Sequence, residues 1–320
     1  SCGVCGSDIL RVMEKGAYRY PITIGHEFSG EVIEAGSEVS QIKPGDRVTV
    51  MPLIPCGRCR YCKVGKAMLC DSYDYYGSRI DGAMAEYIKV SLCNCIKLPA
   101  EIDYETASMT DPVSVALHAV RKAGVLPGQT AAVFGLGTIG CLSLQWLKLC
   151  GCDKVCAVDI YDEKLNLAER LGADYCINGK IQNVADSVME WTNGQGVDVT
   201  IELAGSKITQ VQVIQAVKKA GTVILCGISY DDLVIPNSEL AKILRGELKI
   251  KGAWNSSIAP LPVNEWESAL MFMKNGKIIT KPLISHRYGL EECKEAFDMM
   301  YNKKEVFTKV LFKPEDRDRG

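Results

Sequence analysis

The stretch "VFGLGTIG", followed by "VCAVDIYDEK", constrains this chain more than any other part of it. Ala131 to Phe134 form a short apolar run with no alternation, as expected of a strand buried on both faces. Gly135, Gly137 and Gly140, with Thr138 and Ile139 between them, then make a turn that opens an apolar helix reaching to about Cys150. Amide groups at such a helix start can hold a pyrophosphate, and the missing side chains let the backbone come close. Asp159 stands nineteen residues after Gly140 at the end of the next apolar run, where a carboxylate accepts hydrogen bonds from ribose hydroxyls. Alone, the glycine pattern is as well explained by a tight turn. Strand before, helix after and acid in place make it a dinucleotide site. Asp159 selects NAD over NADP, because a 2′-phosphate would meet its charge, and neither Ile160 nor Tyr161 supplies an arginine. Lys164 is placed either to reach the same ribose or as an exposed helix lysine.

Around this unit, short apolar runs at 197–203 and 223–225 alternate with helical stretches. That alternation predicts a doubly wound parallel α/β sheet covered by helices on both faces. Residues 1 to about 100 read differently. Short alternating runs such as Glu31-Val32-Ile33 and Arg47 to Val50 are broken by glycine and by Pro44-Gly45-Asp46, which predicts a separate β-rich domain. Between them, Val113, Leu117 and Val120 fall at helical spacing, and Gly124 closes that run. The segment after Trp254 reads as loops and helices, ending in one strand at Val310-Leu311-Phe312. The boundaries drawn from these shifts are a β-rich domain over 1–116, a dinucleotide domain over 117–258, and a return to the first domain over 259–320.

Composition excludes several classes of function. The 320 residues carry 37 basic and 39 acidic side chains, a net charge of −2, which argues against nucleic acid or an anionic membrane as partner. No apolar run is long enough to span a bilayer. Fifteen cysteines in a large chain without secretory features point to reduced or metal-bound thiols, and so to a cytoplasmic setting.

Four of those cysteines, Cys56, Cys59, Cys62 and Cys70, form C-x2-C-x2-C-x7-C. Thiolates this close can enclose one structural Zn²⁺ in a tetrahedral site with no open position. An iron–sulfur cluster would want a tighter final interval and a proline after the last cysteine; here Asp71 follows. A second candidate centre has mixed ligands. His26 and Glu27 are adjacent in a glycine-bounded turn, and with Cys5 they make the imidazole, carboxylate and thiolate set of a catalytic zinc that keeps one position open. Taken without that company, His26-Glu27 reads as a surface turn.

The ordered motifs "CGVCGSD", "GHEFSGEVIEAG", "KPGDRV", the four-cysteine loop, "DGAMAEY" and "GLGTIG" resemble the zinc-containing medium-chain alcohol dehydrogenase family over essentially the whole chain. The stretches "YPITIGHEFSG", "PLIPC", "YYGSRIDGAMAEYI", "KILRGELKIKGAWNSS" and "EWESA" are similar to its polyol dehydrogenase branch. The resemblance implies a Rossmann domain beside a GroES-like catalytic domain, two zinc ions per chain, and hydride transfer to NAD from a secondary alcohol in a water-excluding cleft. It implies that Cys5 and His26 are catalytic zinc ligands, that Glu27 coordinates or exchanges with water, and that Ser7 takes the substrate proton. Close relatives have a final glutamate ligand in a Glu-Pro pair; here the pair is Asp111-Pro112, one methylene shorter. Cofactor contacts carried over are Ile139, Lys164, Cys226, Gly227, Ile228, Trp254 and Asn255.

The implied substrate is a polyol or polyol phosphate, with Arg79 either meeting the anion or held in a surface ion pair. Other family activities, on threonine, butanediol or simple alcohols, are the alternative, as is a non-catalytic NAD-binding relative. Homodimers or homotetramers joined through the dinucleotide domains are expected. Relatives carry a β-rich stretch ahead of "CGVCGSD" that this sequence lacks; if it is truly absent, the first domain is expected to have unpaired edges and poor stability.

Overall fold

The computed structural model describes residues 1–260 and 263–314. Along the chain, β1 (Cys2–Gly3) leads into α1 (Gly6–Leu10), and β2 (Glu27–Glu31), β3 (Arg47–Val50), β4 (Leu53–Ile54), α2 (Arg60–Lys63), β5 (Asp74–Tyr75) and β6 (Cys95–Lys97) follow. Helices α3 (Tyr104–Ser108) and α4 (Thr110–Ala123) come next. Contacts divide the chain into two compact units, Ser1–Ser114 with the residues from Ser256 on, and Val115–Asn255. The division falls within α4.

The second unit is built from β7 (Thr130–Phe134), α5 (Thr138–Leu149), β8 (Lys154–Asp159), α6 (Asp162–Arg170), β9 (Tyr175–Asn178), α7 (Val184–Trp191), β10 (Val197–Glu202), α8 (Lys207–Ala216), β11 (Val217–Leu225), α9 (Asn237–Arg245) and β12 (Lys249–Gly252). Its six strands run parallel in the order β12-β11-β10-β7-β8-β9. The order reverses between β7 and β10, the switch point at which sheets of this kind bind ligands beyond the carboxyl ends of their strands. Ala131 to Phe134 and Val155 to Ala157 are fully buried, as strands covered on both faces must be. Their core continues through Ile177, Val188, Val213, Val217 and Val223.

In the first unit, α10 (Glu265–Lys274), β13 (Ile284–Tyr288), α11 (Cys293–Tyr301) and β14 (Lys309–Phe312) return to the strands of the N-terminal half. The six-stranded sheet has the order β13-β14-β1-β2-β3-β6. One expectation changes here. β13 is a strand that the sequence pattern leaves among loops and helices; its residues alternate between buried or half-buried and exposed positions, and its neighbour is the parallel strand β14. The N-terminal residues lie inside this sheet, whose edges among the described strands are β13 and β6. Cys2 and Gly3 pair with Phe28 and Glu27 on one side and with Phe312 and Leu311 on the other. A Cβ at Gly3 would lie 2.5 Å from Glu27 Oε2, so a larger residue there would displace that carboxylate.

Candidate metal and dinucleotide sites

The first candidate centre is assembled from β1, α1, β2, the first turn of α4 and β14, all in the first unit. Cys5, which is half-buried, precedes α1, while His26 and Glu27 stand buried at the start of β2. One ligand atom from each of the three lies within 4.8 Å of the others. Asp111, near the start of α4, is not in that cluster, but its side chain is buried and its Oδ1 finds no hydrogen-bond donor among the described residues. Burial first, then the neighbouring Glu27 charge, push its carboxyl up to about 7, against the pull of His26 and Lys309. Ser7 is half-buried on α1, two residues beyond Cys5.

Two buried partners that the motif reading passed over hold these ligands. Asp8 Oδ2 accepts from the Cys5 amide at 3.2 Å and lies 3.5 Å from His26 Nδ1, longer than a well-formed hydrogen bond, while its Oδ1 takes Arg11 at 2.6 Å. A carboxylate behind one ring nitrogen orients a ligating histidine and raises its basicity, leaving Nε2 for the metal. Burial alone would push the Asp8 carboxyl up, but the His26 and Arg11 charges outweigh it and hold the carboxyl below its usual range. The "GSD" motif contained this signal, since Asp8 directly follows Ser7. Lys309 on β14 is the other partner. It is fully enclosed, donates to Val4 O at 2.9 Å and pairs with Glu27 Oε2. Nothing local could reveal it, because 282 residues separate the pair. The ring of Tyr75 meets the His26 ring edge-on at 5.4 Å.

This donor set fits a zinc ion. A thiol, an imidazole and one carboxylate converge, Lys309 is the basic side chain paired with that carboxylate, and the buried Asp111 Oδ1, which feels the charges of His26 and Glu27, is left without a donor among the described residues. An orphaned buried acceptor is costly unless a cation or water meets it.

The second centre is the four-cysteine loop. Cys59 Sγ lies 3.5 Å from Cys62 Sγ and 3.9 Å from Cys70 Sγ, and all four sulfurs are within 4.8 Å of one another. Zinc–thiolate bonds of about 2.3 Å in a tetrahedron put sulfurs ~3.8 Å apart. The loop is already shaped for that arrangement. The backbone amides of Asp71 and Cys62 hold the Cys59 thiol down to about 6, and Cys70 Sγ accepts from the Cys56 amide at 3.3 Å. No position in this ligand set is left for substrate.

The candidate dinucleotide residues all lie beyond the carboxyl ends of parallel strands. Gly135 to Gly140 follow β7, Asp159 ends β8, Cys226 to Ile228 follow β11, and Trp254 and Asn255 follow β12. Gly140 must be glycine, since a Cβ would come within 1.9 Å of Gly135 O. Asp159 Oδ2 accepts from Leu136 N at 2.7 Å, and Oδ1 accepts from Ile160 N and Tyr161 N at 2.7 and 3.2 Å. The acid therefore ties the glycine turn to the end of β8. The structure places Lys164 Nζ 5.2 Å above the Tyr161 ring. Glu202, at the end of β10, escaped the motif reading. Its Oε1 accepts from Ala204 N, Gly205 N and Thr209 Oγ1, and its buried Oε2 has no donor among the described residues.

Comparison with known proteins agrees with both units. Residues 1–100 match the alcohol dehydrogenase GroES-like domain, and residues 138–275 match the zinc-binding dehydrogenase domain. The chain belongs to the zinc-dependent alcohol dehydrogenases, a family of oxidoreductases. Among its relatives, galactitol 1-phosphate 5-dehydrogenase of Escherichia coli K12 is 36% identical over 92% of this chain and 86% of its own. The crystal structure of the Escherichia coli galactitol-1-phosphate dehydrogenase superposes with a TM-score of 0.92 at 35% identity, covering 98% of this chain and 90% of that one. Sorbitol dehydrogenase of Bacillus subtilis is 30% identical over 98% and 88% of the two chains. A zinc-binding dehydrogenase from Sinorhizobium meliloti, described as bound to NADP, superposes with a TM-score of 0.90 at 32% identity over 98% and 90%.

Proposed function

We propose that this chain oxidises a secondary alcohol of a polyol or polyol phosphate, using one catalytic zinc and NAD, with a second, structural zinc in the four-cysteine loop. The observation that carries this reading is the buried Cys5–His26–Glu27 cluster with the unsatisfied Asp111 Oδ1 in the same acidic environment. Polyol-acting relatives support the substrate class. When bound by Cys5, His26 and Glu27, with Asp111 as a further oxygen donor, zinc supplies Lewis acidity at the substrate hydroxyl, and NAD supplies the hydride acceptor.

The chain's own residues do the rest. Asp8 fixes the His26 ring, and Lys309 sets the position of the Glu27 carboxylate. Ser7 Oγ relays the proton leaving the substrate hydroxyl, accepting it while passing its own hydroxyl proton on towards solvent. On the dinucleotide unit, amides of the Gly135–Gly140 turn hold the pyrophosphate, and Asp159 takes the ribose hydroxyls. Cys226, Gly227, Ile228, Trp254 and Asn255 line the nicotinamide end. NAD is favoured over NADP because the Asp159 charge stands where a 2′-phosphate would sit, and residues 160 and 161 bring no arginine.

The test is cofactor reduction across hexitols, their phosphates, butanediol and threonine, with NAD and NADP in parallel, alongside zinc analysis. Wild type is expected to bind two zinc ions and to reduce NAD with a polyol substrate. Cys5→Ala is expected to retain one zinc and to lose activity by at least about a thousandfold. Turnover surviving in Cys5→Ala would sink the mechanism, and turnover confined to threonine or butanediol would replace the substrate class.

Homodimers or homotetramers are part of the same proposal. Edge strand β12 pairs with β11 alone among the described strands, and all four of its residues are exposed. Among the described residues no helix is long and apolar enough to cross a membrane. The fifteen cysteines are all unpaired, in keeping with the cytoplasm as the proposed location.

A further inference from the structure

Arg79 is held in an unusual way for a partly exposed arginine. Its guanidinium carbon lies 4.8 Å from the centre of the Tyr18 ring and 4.5 Å from that of Tyr73. Stacking engages the faces of a guanidinium and leaves its in-plane fork of N–H donors unspent. No carboxylate among the described residues lies within ion-pair distance of it, which sets aside the surface ion pair. The nearby Arg19 differs: it pairs with Asp81 at 3.1 Å, and Asp81 also accepts from Thr23 N at 2.9 Å. Asp81 is thereby occupied. Tyr18 is 71% exposed, so the stack is open to solvent on that side.

The stack is joined to the metal ligands by a row of rings within the same unit. Tyr73 stands 6.4 Å from Tyr75, and Tyr75 stands 5.4 Å from His26. Near His26 the charges are mostly acidic, with Asp8, Glu27 and Asp111 buried beside the Cys5 thiol. With zinc bound and with Lys309 and Arg11 paired to Glu27 and Asp8, those acids are offset but leave no surplus positive charge, so a doubly charged phosphate needs a cation outside the ligand cluster to hold it. A planar donor fork held against two rings matches the oxygens of a phosphate and loses little freedom on binding one.

We propose that Arg79, held against the rings of Tyr18 and Tyr73, receives the phosphate of a phosphorylated polyol whose oxidised carbon lies at the Cys5–His26–Glu27 cluster. This rests on the polyol-oxidising reading of that cluster and narrows it to the phosphorylated substrate.

Two measurements on the zinc-loaded protein test it. In the first, kcat/KM is compared for a hexitol and its 1-phosphate with NAD. Wild type is expected to prefer the phosphate, and Arg79→Met to reduce that preference roughly 10- to 100-fold, through KM. Tyr18→Leu, which unpins the guanidinium without removing it, is expected to fall between the two. A wild type with no preference for the phosphate, or an Arg79→Met variant whose preference is unchanged within about twofold, overturns the proposal. In the second, inorganic phosphate is titrated calorimetrically into NAD-saturated protein. Arg79→Met is expected to weaken binding at least about tenfold, and equal binding overturns the proposal. If neither substrate turns over, the polyol reading fails by itself, and the titration still decides whether Arg79 is an anion receptor. Melting curves separate a phosphate effect from misfolding, because a residue serving only as a strut would lower Tm and leave the substrate ratio in place.

Discussion

Lys309 and Glu27 form a fully enclosed ion pair, and one of them is also a candidate metal ligand. Removing one member of such a pair leaves the other charge buried without compensation, at a cost of about 3 to 5 kcal/mol. Lys309→Met is therefore expected to lower the Tm of the zinc-free protein sharply, while Lys309→Met with Glu27→Gln recovers most of the loss. The single variant should also gain more Tm on zinc addition than wild type, since metal is then the remaining countercharge for Glu27. Melting curves with and without zinc check this; an equal gain in both proteins would separate Glu27 from the metal. At this scale the sequence was readable where chemistry is packed into a few adjacent residues. Cys5, His26 and Glu27 announce themselves by residue type, and Asp8 lies within the same motif. Lys309 could not be read, because a lysine between Thr308 and Val310 looks like any strand residue until the fold brings it to Val4 and Glu27.

Among the elements, the short helix α3 is fastened to the C-terminal strands by Glu105. Its carboxylate accepts from Arg287 Nε and Nη2 at 2.9 and 2.8 Å, and Lys313 Nζ lies 2.5 Å away. Arg287 belongs to β13, and Lys313 follows β14. The Arg287 hydrogen bonds lead in holding the Glu105 carboxyl down to about 2, from an ordinary value of 4.5. A carboxyl depressed in the folded state adds stability that is fully present above its unfolded pKa and disappears as pH falls through the folded one. This contribution is thus expected to fade between about pH 5 and pH 2, and the partial exposure of the basic partners limits it to about 1 to 2 kcal/mol. Glu105→Gln should flatten that part of the stability curve, as read from urea unfolding across the range; an unchanged slope would remove the fastening. The pattern along β13 explains why this element was missed. "ISHRY" alternates buried or half-buried with exposed residues and carries a histidine and an arginine, so it lacks the continuous apolar character that made β7 and β8 plain. It counts as a strand because β14 lies beside it.

For the whole molecule, the proposed pairing of chains can be tested at one edge of the parallel sheet. Ile250 on β12 is 39% exposed, and Leu244 and Val234, 70% and 76% exposed, lie in the segment leading up to it. An exposed edge with apolar neighbours is a template for adding another strand. If β12 joins its twofold copy, Ile250→Asp places like charges close together and should convert the dimer to monomer in sedimentation analysis. A dimer persisting in that variant would move the interface elsewhere.

The pairing of β1 with β14 has a consequence for biosynthesis. Residues 2–3 are hydrogen-bonded to residues 311–312, whereas the parallel sheet is complete within residues 115–255. Domains generally fold as units while the chain emerges from the ribosome, so the dinucleotide unit has all its strands long before the other has its last. Lys309 follows the whole of that unit in the chain. The Glu27 carboxylate accordingly waits for its countercharge through the synthesis of the 282 positions that separate it from Lys309, and zinc encountered in that interval would meet Glu27 before its buried lysine is in place.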